Sequence, residues 1–498
     1  MFSHSEAIAT LAIIAVASGF LIWGYNRAKP YGKLGVLAWL QSVVLIAPWL
    51  VFFGLVALGV YINFVLIILL LVGSSGVYIY LGNRLRAEGQ DEIIRQRAAQ
   101  RLAAEAGETA ADDSTASTAL NLEPDTSPIP VEDLQTIKGI FGIDTFFATE
   151  TIAYQDGAIF RGNLRGEPDR VHDRLSTKLT DLCGEQYRLF LVESPDGKPI
   201  VIVLPSRNDP QPMTLGQKNL AIVLLVATLA TSIEAASLLL GFDWFSDLGR
   251  YWEPIPIALG LWIILGAHEF GHWFYAQRYN IKLSWPFFLP SWQIGTFGSI
   301  TRFESLVPHR SALFDVAIAG PALGGLLSFL MLMTGLVLSH PGSLFKLPTQ
   351  FFQGSILVGT LAKTILGSQL ENAIVDIHPL TVIGWLGLVI TALNLMPAGQ
   401  LDGGRIVQAI YGRKTARRTT IATLVVLGIV AIFNAANPIP LYWGIVILFV
   451  QRDLERPSLN ELTEPNDARA ALGLLALFLM LATLIPLSPG LAGRLGIG

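Results

Sequence analysis

Residues 255–277 read IPIALGLWIILGAHEFGHWFYAQ. The run is long enough to cross a hydrocarbon core, which takes about 20 predominantly apolar residues, and so reads as a membrane-spanning helix. Glu269 is its one Asp, Glu, Lys or Arg. His268 and His272 stand one helical turn apart, so they project from one face with about 5–6 Å between them. Ionisable side chains inside a span are costly in lipid and mark a functional site or pair with one another.

Working outward, comparable apolar runs recur along the chain. It has 498 residues, 52% hydrophobic and 14% charged, with mean hydropathy +0.53, whereas soluble domains carry roughly 25% charged residues. This is the composition of a membrane protein, and the run lengths indicate helices rather than barrel strands. Downstream, spans are expected at Leu220–Leu240, Ile255–Gln277, Ala312–Leu338, Leu380–Pro397, Thr420–Ala436 and Ala470–Pro486, with a shorter run at Leu441–Val450. Upstream, Ile8–Trp23 lacks a basic stretch before it and an obvious cleavage site, and reads as a retained anchor rather than a targeting segment. Leu34–Leu81 contains no Lys, Arg, Asp or Glu and accommodates two further spans, turning near Tyr61–Asn63.

Charge sets the direction of these spans. Arg27, Lys29 and Lys33 follow the first span, and Arg84, Arg86, Arg95, Arg97 and Arg101 follow the third. The positive-inside tendency assigns both ends to the cytoplasm and the N-terminus to the outside. If Leu441–Val450 also spans, the basic loops Arg278–Lys282, Arg405–Arg418 and Arg452–Arg456 fall on the cytoplasmic side as well.

Four regions follow. Residues 1–83 form an N-terminal anchor, and residues 84–130 a charged helix and an Ala/Thr/Ser/Asp/Glu-rich linker with the composition of disorder. Residues 131–212 mix apolar and polar positions like a soluble α+β domain. Helical spacing runs over Asp169–Leu182, strands over Tyr187–Val192 and Pro199–Leu204, and a turn over Pro195-Asp196-Gly197. Residues 213–498 form the membrane domain that holds the histidines. The expected class is an all-α polytopic membrane protein with a small soluble α+β domain. Cys183 is the sole cysteine, which excludes an intrachain disulfide and a cysteine-based metal site.

His268-Glu269-Phe270-Gly271-His272 fits H-E-x-x-H, in which two histidines bind zinc and the Glu acts as general base of a metalloprotease. A catalytic zinc usually takes three protein ligands, so a third must come from elsewhere. Glu304 and His309 stand among loop residues. Asp402 is the better candidate, within Asn394-Leu395-Met396-Pro397-Ala398-Gly399-Gln400-Leu401-Asp402-Gly403-Gly404 at the end of another span. Pro397 and Gly399 can break that helix, and Gly403-Gly404 permit close backbone approach. The site is therefore read as one zinc per chain on His268, His272 and Asp402, with Glu269 as base. Asn394 is a candidate for hydrogen-bonding substrate backbone, the alternative being a plain inter-helix hydrogen bond. Ile281–Phe303, rich in Trp, Phe, Pro and Gly, reads as a re-entrant segment. Its strand-like Thr296–Phe303 portion offers an edge to an unwound substrate, with Gly298 and Ser299 as candidate substrate-binding residues, the alternative being interfacial anchoring by Trp285 and Trp292. Glu234, another intramembrane carboxylate, reads as an inter-helix pairing or gating group.

At these residues the sequence resembles the site-2 protease family of intramembrane zinc metalloproteases, in its cyanobacterial and plastid branch. His268 to His272 matches the family's first motif, and Asn394 to Gly403, N-L-M-P-A-G-Q-L-D-G, matches its second, in which the Asp is the third zinc ligand. Gly295-Thr296-Phe297-Gly298-Ser299-Ile300 and Gly320-Pro321 are similar to segments around the family's core helices, and Gly162-Asn163-Leu164-Arg165-Gly166 to one of the branch. Leu401 stands where many relatives have Pro before the Asp-Gly. The resemblance implies a site-2 protease-like transmembrane core, transmembrane proteins as substrates, the lipid bilayer as surroundings and no nucleic-acid partner. It also implies a bacterial, cyanobacterial-type plasma or thylakoid membrane. A secondary transporter or an inactive membrane scaffold are the rival readings. The two halves show no inverted motif pair for the first, and the second has no chemical need for this ligand-and-base set.

Overall fold

Backbone polar groups in hydrocarbon must be satisfied within the chain, which favours helices wherever a segment crosses lipid. The computed structural model of the protein is accordingly helix-rich. It describes residues 22, 24–57, 73–74, 76–78, 80–82, 84–85, 129–154, 156–194, 196–244, 246–291, 294–434, 437–451 and 453–497. The expected first span apart from Ile22, the turn near Tyr61–Asn63, the greater part of the third span and nearly all of the linker lie outside the described residues.

The chain divides into two compact units. In the first, residues 1–123 with 429–440, α1 (Gly32–Ala57) forms where the second span is expected. The second unit comprises residues 124–428 and 441–498. It opens with α2 (Val131–Lys138), β1 (Phe146–Tyr154), β2 (Gly157–Leu164), α3 (Pro168–Cys183), β3 (Tyr187–Glu193) and β4 (Pro199–Pro205). The strands form an antiparallel sheet in the order β1-β2-β4-β3. Val171, Leu175 and Leu179 of α3 pack with Phe146, Phe160, Leu191 and Val201 in the core of this sheet domain. The helical spacing and both expected strands are present, whereas Leu182, at the end of the same spacing, is exposed.

The helical part continues with α4 (Leu215–Leu239), α5 (Ile255–Arg278), a hairpin of β5 (Phe287–Ser291) and β6 (Gly295–Ile300), and α6 (Arg310–Leu338). Next come β7 (Phe345–Pro348), α7 (Ile356–Leu366), β8 (Ile374–Ile377) and α8 (Pro379–Asn394), with β7 and β8 paired. The remaining α-helices are α9 (Asp402–Phe433), α10 (Ile439–Phe449), α11 (Asp467–Leu484) and the short α12 (Pro489–Leu495). Among the described residues, five helices, α4, α5, α6, α9 and α11, are long and apolar enough to cross a membrane. The apolar helices α8 and α10 are shorter than that.

Two expectations are corrected. The span expected to reach Pro397 stops at Asn394, because the Pro397–Gly399 segment turns the chain. The basic stretch Arg405–Arg418, expected as a loop, is helical within α9, broken only at Gly412, whose φ of 78° is left-handed. Lys, Arg and Gln are good helix formers, and their charge marks a side of the membrane without specifying a loop.

Association of helices in lipid rests on close contact between small residues. Gly384 and Gly387 of α8 lie against Ser328 and Leu332 of α6 with no room for a Cβ. α6 also packs along α5. The helix α4 lies over the β5–β6 hairpin, where the Thr231 hydroxyl donates to the Gly295 carbonyl at 2.6 Å. These contacts bring the α5 histidines, the hairpin and the α8–α9 turn together.

Candidate metal centre

His268 and His272 face inward from α5 and are 5% and 4% exposed; Asp402, the first residue of α9, is 7% exposed. The α8–α9 turn that delivers Asp402 is held from several sides. Thr420 accepts the Gly399 N–H at 2.9 Å, the Gln451 carbonyl accepts the Gln400 N–H at 3.2 Å, and Trp443 Nε1 donates to the Leu393 carbonyl at 3.1 Å. At the N-terminus of α9 the helix dipole favours the Asp402 carboxylate. The imidazoles have space because α6 carries glycines opposite them. A Cβ on Gly320 would collide with the His272 ring, and one on Gly324 would lie 3.0 Å from His268 Cβ.

The donor atoms converge. His268 Nε2 and His272 Nε2 are 3.1 Å apart, and each is 3.4 Å from Asp402 Oδ2. Ligands about 2.0–2.1 Å from a tetrahedral zinc stand roughly 3.3–3.4 Å from one another, so this triangle fits one face of such a coordination sphere. His272 Nδ1 donates to the Val316 carbonyl at 2.8 Å, which leaves the Nε2 lone pair directed at the triangle. Two imidazole nitrogens and a carboxylate oxygen, all buried, form a donor set suited to zinc.

Glu269 lies beside the triangle, with a carboxylate oxygen within 4.8 Å of a ring nitrogen of each histidine. Both of its oxygens are held: the Ser299 hydroxyl donates to Oε1 and the Thr301 hydroxyl to Oε2 at 2.8 Å. Ser299, expected to touch substrate, is thus engaged with the expected base. Gly298 has φ of 98°, and a Cβ there would lie 2.5 Å from Asn394 Nδ2, which itself donates to the Ile390 carbonyl at 3.2 Å. Of the residues expected at the site, His268, His272, Asp402, Glu269 and Ser299 are joined by these contacts, and Gly298 and Asn394 meet next to Ser299.

Thr301, Val316 and Arg405 also belong to it and were not singled out. Of these only Arg405 leaves a local trace, three positions after Asp402 on the same helix. Glu234 lies elsewhere. It is buried in α4, and its carboxylate accepts the Trp244 backbone N–H at 3.0 Å, securing the turn that follows its own helix.

A helix-rich chain with several membrane-length helices and a buried two-nitrogen, one-oxygen triangle beside a held carboxylate has the equipment of a membrane metallopeptidase. The family model described as Peptidase family M50 matches residues 256–434, and the one described as EGY3 middle domain matches residues 135–212. "Probable zinc metalloprotease EGY2, chloroplastic" of Arabidopsis thaliana is 38% identical over 373 residues, covering 73% of this chain and 66% of that protein. "Probable zinc metalloprotease EGY1, chloroplastic" of the same plant is 35% identical over 404 residues, covering 74% and 73%. "Probable zinc metallopeptidase EGY3, chloroplastic" is 33% identical over 381 residues, covering 72% and 66%. The chain belongs to peptidase family M50, the site-2 proteases. As a member it is a metallopeptidase. No solved structure gives a significant match.

Proposed function

We propose that this chain is a polytopic intramembrane zinc metalloprotease that hydrolyses peptide bonds in or near transmembrane segments of membrane proteins. The observation that carries this reading is the triangle of His268, His272 and Asp402 donors beside Glu269, drawn from two helices, α5 and α9, that are each apolar enough to cross a membrane. His268 Nε2, His272 Nε2 and Asp402 Oδ2 would hold the metal. Zinc in such a site supplies Lewis acidity, polarising the scissile carbonyl and making water acidic enough to lose a proton near neutral pH. Glu269 accepts the proton of the attacking water and returns it to the leaving amine. Ser299 and Thr301 hold the Glu269 carboxylate in line for both transfers. Asn394 and Gly298 lie beside the same centre, which supports a role for them in seating the substrate backbone. The chloroplastic relatives support a thylakoid-type membrane, and the cyanobacterial-type plasma membrane is its counterpart in the proposal.

Metal removal tests this reading. Purified protein is expected to carry one zinc per chain, by elemental analysis, and in vesicles to cleave a co-reconstituted transmembrane substrate. A strong chelator should stop cleavage and added zinc restore it. Cleavage that persists in zinc-free protein would overturn the proposal.

The topology is a separate proposal, supported by the charge distribution. Single cysteines in a Cys183→Ser background, labelled with a membrane-impermeant thiol reagent on oriented vesicles, should react from the cytoplasmic side at Lys414 and from the outer side at Ser246. The opposite pattern would overturn this topology.

A further inference from the structure

The third donor and the expected base sit on different elements, Asp402 on α9 and Glu269 on α5, and the side chain that joins their surroundings is Arg405. It is buried on α9, one turn after Asp402. Its Nη1 lies 3.8 Å from Asp402 Oδ1, the oxygen opposite the one that faces the histidines. Its Nη2 donates at 2.8 Å to the carbonyl of Thr301, the residue whose hydroxyl holds Glu269. The guanidinium lies over the Phe303 ring at 4.6 Å.

The positive charge is met from far along the chain. Glu455 Oε2 accepts from Arg405 Nε at 3.0 Å and lies 2.9 Å from Nη2, and Glu455 is buried as well. The segment that carries it is fixed by its own backbone. Gln408 Nε2 and Arg413 Nη1 donate to the Glu455 carbonyl at 3.1 and 2.5 Å. A few residues on, Leu459 and Asn460 donate to the Val307 and Pro308 carbonyls, and the Leu459 carbonyl accepts from Leu191 of β3 at 2.8 Å.

A buried Arg–Glu pair is weak as a source of stability, because apolar residues of the same volume often do as well. Its position is more informative. A carboxylate ligand has two oxygens and free rotation, and partners on the non-coordinating oxygen fix which one meets the metal. The planar guanidinium can address Asp402, Thr301 and Glu455 together, which a lysine ammonium cannot reproduce.

We propose that Arg405, held by Glu455, is a positioning residue that orients Asp402 as a metal ligand and keeps it in register with Thr301, the residue just after β6 that supports Glu269. This rests on the reading of His268, His272 and Asp402 as ligands.

The test uses the full chain in detergent, with Arg405→Lys, Glu455→Gln and the double change Arg405→Met with Glu455→Met. Zinc affinity is read by competition with a chromogenic chelator, and the melting temperature of the zinc-free protein is read separately. Zinc affinity is expected to fall by about 10–100-fold, the usual cost of losing a partner of a ligand, while the zinc-free melting of the double variant stays near that of the unaltered chain. Affinity within about twofold of the unaltered chain in any folded variant overturns the proposal, since that is far below the expected loss. If the single variants do not fold, the double variant decides. Loss of the zinc-free fold in all three makes the pair a structural tie and overturns the proposal too. His268→Ala and Asp402→Ala run alongside: if these also hold zinc at full affinity, the ligand reading has failed and not the role of Arg405.

Discussion

Glu269→Gln is expected to lower cleavage of a transmembrane substrate by roughly 10²–10⁴-fold, the usual contribution of a positioned general base. That corresponds to about 3–5 kcal/mol of lost transition-state stabilisation. Zinc content should stay near one per chain, because the carboxylate lies beside the donor triangle rather than in it. The change is also mild for the fold. A glutamine has the same shape, its carbonyl oxygen still accepts a hydroxyl from Ser299 or Thr301, and the second hydroxyl can rotate to accept from the amide. Cleavage followed by gel in vesicles, with zinc measured on the same preparation, separates the roles. Turnover close to the unaltered rate would remove Glu269 from the mechanism, and loss of zinc would make it a ligand. A further consequence is that uncut substrate should co-purify with this variant.

The part of this site that the sequence reveals is the part encoded by local spacing. Histidines four apart on an apolar helix must share a face, and an Asp-Gly-Gly after a helix-breaking Pro and Gly needs only a short turn to reach a neighbour. The supports of those groups are invisible at that level. The Val316 carbonyl on His272 depends on how α6 crosses α5, and the Thr301 hydroxyl on Glu269 depends on the register of a hairpin. Glu455 reaches Arg405 across fifty residues of sequence. Span boundaries show the same division. The apolar content of α4, α5, α6 and α11 is plain from composition, whereas the early end of α8 and the helical state of Arg405–Arg418 follow from turn geometry and packing. In the sheet domain, β3 is evident as a continuous apolar run, Leu189 to Val192, and β4 as a β-branched one, Ile200 to Val203. The β1–β2 hairpin, whose solvent side carries Glu150, Arg161 and Asn163, has no such run to announce it.

Asp402→Ala should abolish activity by a different route, through the metal. Removing the carboxylate leaves two imidazoles, and a catalytic zinc with two protein ligands is one short of the usual set. Zinc affinity is expected to fall by more than about 100-fold, beyond the range for loss of an outer partner. The variant also takes the counter-charge from one side of Arg405. Its guanidinium keeps Glu455 at 2.9 Å and the Thr301 carbonyl at 2.8 Å, so the buried charge is not left alone. The zinc-free fold is therefore expected to survive, in contrast to the roughly 3–5 kcal/mol cost of stranding a buried ion. Asp402→Asn refines the experiment, since the amide preserves the shape and offers a neutral oxygen in place of a charged one. If charge is what the metal requires, the Asn variant should bind zinc more weakly than the unaltered chain and more tightly than the Ala variant. Elemental analysis after dialysis against a graded chelator series orders the three proteins. Full zinc retention with full activity in Asp402→Ala would show that the third ligand comes from another residue, despite the 3.4 Å approach of Asp402 to both imidazoles.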